Sequence, residues 1–429
     1  MEIYIVQPGD SINLIANKYN ISVEKLVSDN GLINANNLVT GQALVILNAQ
    51  KTYYVQKGDT LDSIAEANGI SLMQLIRNNP FLYDREVIYP GEPLVISYST
   101  DREIQVNGFT YVFINQDILQ KTLPYLTYIS IFNYRIIENA QIANYGDDTE
   151  IIKISKIYQT RPLLMISAYS PTGEIDIDYV YVLLLNEEHQ DKLVKDMVQI
   201  VREKGFFGIN ALISRINKEN QYLYLNVLTK LSNALHDEGY IFMLTINPNL
   251  DDVNRPLSHE DIDYKSISLI VDRLIILKGV FGVNKQPPSP VSNISIIRSF
   301  IDYLTDQIAP DILSIGKPLI GYDWSLPYTP GSNARSMSLT STITLAYEQR
   351  ALIKLDEESQ TPYYNYTSSY VGPPQSHIVW FIDARSIVAL DDVIIDYGLV
   401  GSGAWNITTS NQQVWSIINA RFSIVKLQT

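Results

Sequence analysis

From residue 123 to residue 429 the chain keeps switching between two hydrophobic periods. Short apolar runs of the kind that form buried strands alternate with longer runs spaced as amphipathic helices. The strand candidates are Tyr125–Phe132, Arg161–Ala168, Gly208–Ile213, Tyr240–Ile246, Arg273–Lys278, Leu319–Tyr322, His377–Ile382 and Gly401–Asn406. The helical runs between them include Gln190–Lys204, Gln221–Glu238, Ile294–Ile308 and Ser336–Lys354. Such alternation over about 300 residues predicts an α/β fold with a parallel sheet closed as a TIM (β/α)8 barrel. Active sites on that architecture sit at the carboxyl ends of the strands.

A different pattern governs the front of the chain. Ile5-Val6-Gln7-Pro8-Gly9-Asp10-Ser11-Ile12-Asn13-Leu14-Ile15-Ala16 recurs as Tyr54-Val55-Gln56-Lys57-Gly58-Asp59-Thr60-Leu61-Asp62-Ser63-Ile64-Ala65. The match continues through Leu26/Leu75 and Asn30/Asn79 and closes with Gly41-Gln42-Ala43-Leu44-Val45-Ile46 against Gly91-Glu92-Pro93-Leu94-Val95-Ile96. Each copy reads strand, helix, helix, strand. Glycine permits the first turn and Asp or Ser/Thr can cap the helix that follows. Units this small bury little surface and suit an accessory role. The stretch 98–122, with Ser97-Tyr98-Ser99-Thr100-Asp101 and Val106-Asn107-Gly108, is turn-rich and reads as a linker.

Composition removes several function classes. A net charge of −14 disfavours nucleic acid and anionic membranes, which need a basic footprint. There is no cysteine, so thiolate chemistry is excluded, and His189, His236, His259 and His377 lack metal-ligand spacing, so no metal or cofactor is expected. No apolar run is long enough to span a membrane. The start, Met1-Glu2-Ile3-Tyr4-Ile5-Val6, reads as a strand rather than an export signal. Charged residues make up only 18% of the chain, so its polar surface leans on amides, hydroxyls and 29 tyrosines, a composition suited to sugar polymers or other protein surfaces.

The two front units closely resemble the LysM domain, over residues 2–48 and 53–97. That resemblance implies binding of N-acetylglucosamine polymers such as peptidoglycan or chitin in a groove between two loops. The groove would comprise Gly9, Asp10, Ser11, Ile12, Asn36, Asn37, Leu38 and Val39 in the first module. In the second it would comprise Gly58, Asp59, Thr60, Leu61, Glu86, Val87 and Ile88. For Gly9, Gly58, Asp10 and Asp59, turn and cap chemistry is the competing and simpler role.

Residues 123–429 resemble glycoside hydrolase family 18, in the arrangement of bacterial spore cortex-lytic N-acetylglucosaminidases. The resemblance rests on Tyr125-Leu126-Thr127-Tyr128-Ile129-Ser130, Gly321-Tyr322-Asp323-Trp324-Ser325-Leu326-Pro327-Tyr328, Val379-Trp380-Phe381-Ile382-Asp383-Ala384-Arg385-Ser386 and Gly401-Ser402-Gly403-Ala404-Trp405-Asn406. It implies substrate-assisted hydrolysis, in which a glutamate on the fourth strand protonates the leaving oxygen and an aspartate two residues earlier orients the substrate's N-acetyl group. The family pattern Asp-x-x-Asp-x-Asp-x-Glu falls on Phe207, Asn210, Leu212 and Ser214. A second signature, Met-x-Tyr-Asp, falls on Leu277-Lys278-Gly279-Val280, and Ile382 takes another position that is acidic in relatives. A serine hydroxyl is no general acid near neutral pH.

These substitutions predict a non-catalytic member that holds peptidoglycan through its LysM modules and uses the barrel for binding or scaffolding in the spore coat, cortex or exosporium. Other coat proteins would be its partners. Trp405, Tyr322 and Asp323 form a candidate sugar subsite; packing competes for Trp405 and is the simpler role for Tyr322 and Trp324, and an ion pair or loop-fixing acceptor, for instance with Arg385, is the simpler role for Asp323 and Asp383. Two alternatives stand beside this reading. One is an active N-acetylglucosaminidase with displaced carboxylates, for which Asp323, Asp383, Asp176, Asp178, Glu187 and Glu188 are available. The other is a self-assembling structural protein of a spore layer or fibre.

Overall fold

A computed structural model describes residues 1–85, 87–167, 183–213, 216–248, 262–280, 283–368 and 373–427. The first module runs β1 (Glu2–Ile5), α1 (Ile12–Lys18), α2 (Val23–Asn30) and β2 (Ala43–Ile46), with β1 antiparallel to β2. The second repeats it with β3 (Lys51–Tyr54), α3 (Leu61–Ala67), α4 (Leu72–Asn78) and β4 (Pro93–Ser97). Ser11, Ser22, Thr60 and Ser71 cap the four helices by accepting a backbone N–H three residues on. The repeated asparagines explain themselves in the fold. Asn30 Nδ2 donates to Leu26 O and Val45 O, and Asn30 Oδ1 accepts from Val45 N. Asn79 makes the same three bonds to Leu75 and Val95. Each amide ties the second helix to the closing strand, and each is buried, so its loss would strand backbone groups away from water.

The barrel follows without a linker. Its first strand is β5 (Arg102–Tyr111), so the reading of 98–122 as a connection is corrected and the barrel begins before residue 123. A short helix α5 (Gln116–Thr122) leads to β6 (Tyr128–Ile137), which folds back as β7 (Gln141–Asn144). Then come α6 (Thr149–Ile157), β8 (Arg161–Ser167), α7 (Glu187–Lys204), β9 (Gly208–Ile213), α8 (Gln221–His236), β10 (Ile241–Ile246), α9 (Tyr264–Ser268), β11 (Arg273–Leu277), α10 (Ile294–Thr305) and β12 (Leu313–Pro318). The ring closes through β18 (Gly401–Trp405), introduced below, which pairs with both β12 and β5. The circuit β5-β6-β8-β9-β10-β11-β12-β18 is parallel throughout. The helices lie outside it, as the alternating pattern required.

Two expected barrel strands belong elsewhere. Leu319–Tyr322 overlaps β13 (Gly321–Leu326), and His377–Ile382 overlaps β17 (Gln375–Phe381). With β14 (Arg335–Met337), β15 (Lys354–Asp356) and β16 (Thr361–Ser368) they form an antiparallel sheet, ordered β14-β13-β17-β16-β15, inserted between β12 and β18 and packed on α11 (Leu339–Glu348). The true seventh barrel strand, β12, reads Leu-Ser-Ile-Gly-Lys-Pro and hides a lysine. Lys317 is fully buried, with Nζ 2.9 Å from Asp391 of α12 (Ala384–Asp396) and donating to Ser402 Oγ. Burial pushes the Asp391 carboxyl up, and Lys317 holds it back. A paired buried charge of this kind tolerates the interior; a lone one does not.

Both modules dock on the barrel's last helix, α13 (Gln412–Arg421), before β19 (Phe422–Ile424) adds to β5. Gln413 Nε2 donates to Asn30 Oδ1 and Ala43 O in the first module, and Asn419 Nδ2 donates to Asn78 Oδ1 in the second. Arg77 adds a bond from Nη1 to Pro124 O.

Candidate functional site

The inward face of the barrel strands is mainly apolar. Phe109, Tyr128, Phe132, Leu163, Met165, Leu212, Met243, Ile275, Leu277 and Trp405 form one buried cluster, flanked by Tyr111, Tyr145 and Phe207. Because side chains alternate along a strand, Asn210 and Leu212 of β9 face the same interior. Asn210 is buried in a polar relay: its Nδ2 donates to Ser130 Oγ, Ser130 Oγ donates to Asn107 Oδ1, and Thr245 Oγ1 donates to Asn210 Oδ1. A neutral amide thus sits in a neutral relay bridging β5, β6, β9 and β10, in which the buried Asn107 Nδ2 finds no partner among the described residues. Leu212 packs with the aromatic cluster. Phe207 lies at the opposite end of its strand from the mouth, with Arg161 and Lys156 at 5.0 and 5.7 Å from its ring centroid. Ser214 lies outside the described residues.

At the mouth, Trp405 ends β18 against Phe109, Tyr111 and Phe132, with ring centroids 5.3, 6.0 and 6.0 Å away. It is 3% exposed, so its ring is largely covered by its neighbours. Tyr111 stacks on Phe113 at 5.1 Å and 6°, and Phe113 is 70% exposed. Phe132 stacks in turn on Tyr145. Burial pushes the Tyr111 hydroxyl up to about 12, so it stays a neutral donor. Phe113, Tyr111 and Tyr145 were not singled out in the sequence. The alternation of Phe109, Tyr111 and Phe113 along and just past β5 is the available signal, masked by the turn-rich residues around it.

Tyr322 and Trp324 turn away from any open surface. Both are 1% exposed. Tyr322 Oη donates to Gly279 O and Val280 O, and Trp324 Nε1 donates to Gln286 O. They fasten the inserted sheet to the segment after β11, including the proline-rich run at Lys285–Pro290, where Tyr328 Oη also donates to Lys285 O. Packing is the role both rings take here, and Tyr322 offers no open face to a sugar. Gly279 has φ +88° and a Cβ there would sit 2.4 Å from Val291 O, so this place in the turn admits glycine and no larger residue.

The remaining acids divide by environment. Asp383 caps α12 and pairs with Arg385 at 2.6 Å. Asp323 accepts from Tyr366 Oη at 2.8 Å and meets His377 Nδ1 at 3.0 Å, within the inserted sheet. Glu187 and Glu188 are exposed in the first turn of α7. Asp176 and Asp178 lie outside the described residues, in the connection from β8 to α7.

In the modules, Asp10 Oδ2 accepts from Tyr4 Oη and Gln7 N, and Asp59 Oδ2 accepts from Tyr53 Oη and Gln56 N, all at 2.7–2.8 Å. Both aspartates therefore hold their own turn. Gly9 and Gly58 adopt φ +87° and +94° at those turns. Ser11 and Thr60 are helix caps, and Ile12 is buried in its module core while Leu61 is partly buried. Asn36 is exposed, Asn37 and Leu38 are half-buried, and Val39 is buried. Val87 is exposed and Ile88 half-buried; Glu86 lies outside the described residues.

Profile comparison places a LysM domain at residues 4–47 and again at 53–97, and glycosyl hydrolases family 18 across residues 95–409. This chain belongs to glycosyl hydrolase family 18. The Cortical fragment-lytic enzyme of Bacillus subtilis is 31% identical over 433 aligned positions, covering 99% of each chain. Its namesake from Bacillus anthracis is 29% identical with the same coverage. The crystal structure of the Bacillus cereus spore cortex-lytic enzyme SleL superposes with a TM-score of 0.78 at 27% identity, over 99% of both chains.

Membership of this hydrolase family, with full-length relatives named as lytic enzymes, overturns the expectation of a non-enzyme. That expectation rested on two motifs, at Phe207, Asn210, Leu212 and Ser214 and at Gly279 and Val280, together with Ile382. Asn210 and Leu212 occupy inward positions of β9, but an amide and an apolar side chain there do not measure turnover. The family 18 chain keeps the whole scaffold of its relatives, from the first LysM strand to the last barrel strand.

Proposed function

We propose that this chain is a spore-envelope glycosidase: it holds N-acetylglucosamine-containing peptidoglycan through its LysM region and cleaves cortex-derived glycan at the barrel mouth. The observation that carries the reading is the shared layout over 99% of the chain with a cortical fragment-lytic enzyme. The exposed Phe113 ring stacked on Tyr111 supports it, since aromatic faces at a barrel mouth suit pyranose rings. By the same reading the protein acts in the spore cortex or envelope.

Hydrolysis needs a proton donor for the leaving oxygen and a group to orient the substrate's acetamide. Asn210 and Leu212 supply neither, so the donor in this proposal comes from another segment. Asp176 and Asp178 are the first pair to examine, because in the sequence they follow a barrel strand, β8, on the side where such folds carry their chemistry. Asp323 is the second, with His377 and Tyr366 beside it. Asp383 is committed to Arg385 and serves as a control.

The test is incubation of the full-length protein with cortex fragments, with mass spectrometry of the products. Release of new N-acetylglucosamine reducing ends, lost in Asp176→Asn/Asp178→Asn or in Asp323→Asn, is expected. Intact fragments after prolonged incubation with the wild-type protein would sink the hydrolytic reading.

A further inference from the structure

The two LysM modules share a fold, yet their second loops meet different surroundings. Aligning the closing strands places Val39, Thr40 and Gly41 opposite Tyr89, Pro90 and Gly91. In the first module this loop is seated under the inserted sheet. Val39 is 4% exposed and packs with Met337, Ala346, Ala351 and Ile353. Thr40 O accepts from Ile353 N at 3.1 Å, and Gly41 O accepts from Arg385 Nη2 at 3.3 Å. A Cβ on Gly41 would lie 2.0 Å from Ile353 O, so the two backbones touch directly.

The same loop of the second module is largely exposed. Tyr89 is 58% exposed and Val87 56%. Gly91 adopts φ +88°, close to the +86° of Gly41, and a Cβ there would meet no atom within 4 Å. The Arg85 guanidinium stands 5.7 Å from the Tyr89 ring centroid and 5.2 Å from that of Phe81, a cation set between two aromatic faces. Arg85 also pairs with Glu92, which holds it in place.

We propose that the modules have divided their labour: the second is the glycan-binding module, through Tyr89, Val87 and Ile88, and the first is a structural dock for the inserted sheet. This rests on the glycan reading given above. An exposed tyrosine ring offers a face for a pyranose and a hydroxyl for its polar rim, and the neighbouring guanidinium offers N–H donors to hydroxyl or acetamide oxygens. The equivalent wall of the first module is filled by Ile353 and its neighbours. A sugar could reach it only by displacing packed apolar side chains.

The experiment is titration of the full-length chain with a soluble β-1,4-linked N-acetylglucosamine oligosaccharide, alongside co-sedimentation with insoluble peptidoglycan. Tyr89→Ala should weaken binding about tenfold, the worth of one aromatic contact, and Tyr89→Phe should keep most of it. Asn36→Ala, on the exposed part of the first module's loop, should leave affinity unchanged. Calorimetry should give one module-type site per chain. Equal losses from Tyr89→Ala and Asn36→Ala, or two equivalent sites, would overturn the division while leaving the glycan reading intact. A wild-type chain that binds neither probe would bring down the glycan reading itself, and the division with it. Thermal unfolding of Tyr89→Ala matching wild type separates lost contact from lost fold.

Discussion

The first LysM module and the second are built from the same local parts and used differently. Asn30 and Asn79 brace helix to strand by identical bonds, and Asp10 and Asp59 close identical turns. Both modules lean on α13. They part at one loop: Gly41 is pressed against Ile353, and Gly91 faces open space. Duplication therefore preserved the fold while the inserted sheet took one copy's loop as a surface to pack on. The lesson is that a repeated motif predicts a repeated structure but not a repeated role.

The largest effect that tests this contrast is a pair of glycine substitutions. Both glycines have positive φ, so alanine carries a backbone penalty of about 1 kcal/mol at either. Gly41→Ala also drives a methyl into Ile353 O and should cost about 3 kcal/mol or more in urea unfolding, whereas Gly91→Ala should stop near the backbone penalty. Equal costs would mean the first module's loop is not seated under the inserted sheet. Next in size, Asn30→Ala and Asn79→Ala should each lose about 2 kcal/mol, because buried backbone groups lose partners. The two losses should be similar, with Asn30→Ala slightly the greater through Gln413. A large disparity would break the claim that the modules are equivalent in their cores.

The smallest effect concerns the second dock. There Arg77 stands where the first module has Ser28, and Lys426 lies beneath it, donating to Leu123 O, Leu126 O and Thr160 Oγ1. Burial, then the Arg77 charge, pushes Lys426 down to about 6. Between that value and the ordinary lysine range the unfolded chain binds a proton that the folded chain does not. Stability should therefore rise with pH from about 6 upward, by about 1 kcal/mol per pH unit or less, with the three oxygen acceptors working against it. Lys426→Met should flatten that slope in denaturation curves measured across pH 6–9. An unchanged slope would show that the second dock is not titrating.

Much of the fold was legible because strand alternation, helix spacing and cap residues are local properties. The LysM copies and six of the eight barrel strands follow from them. The two barrel strands that were missed share a cause. In β5, Asn107-Gly108 looks like a turn, yet Asn107 accepts from Ser130 across the barrel and Gly108 makes room for Leu126, whose Cδ1 would be 2.6 Å from a Cβ. In β12, Lys317-Pro318 looks like a solvent-facing loop, yet Asp391 neutralises the lysine in the interior. The opposite error, at His377–Ile382, came from a true strand in the wrong sheet: a period of two says that a segment is extended, not which neighbour it pairs with.

The candidate site was less legible than the fold. Asn210 and Leu212 lie on an inward face of β9, but reading the residues of two motifs and Ile382 as the loss of an activity went beyond what those positions can carry. Tyr322 and Trp324 were recognisable as aromatics at a strand; only the fold showed them spent on Gly279, Val280 and Gln286 carbonyls. By itself, the sequence determined two small capped modules and an alternating strand–helix domain, since those depend on residues within a turn or two of each other. The tertiary structure alone decided which module is covered, which tyrosine is exposed and which lysine is buried. Those outcomes depend on contacts, made or not made, between residues far apart in the sequence, such as Gly41 with Ile353 and Lys317 with Asp391, and no local period encodes them.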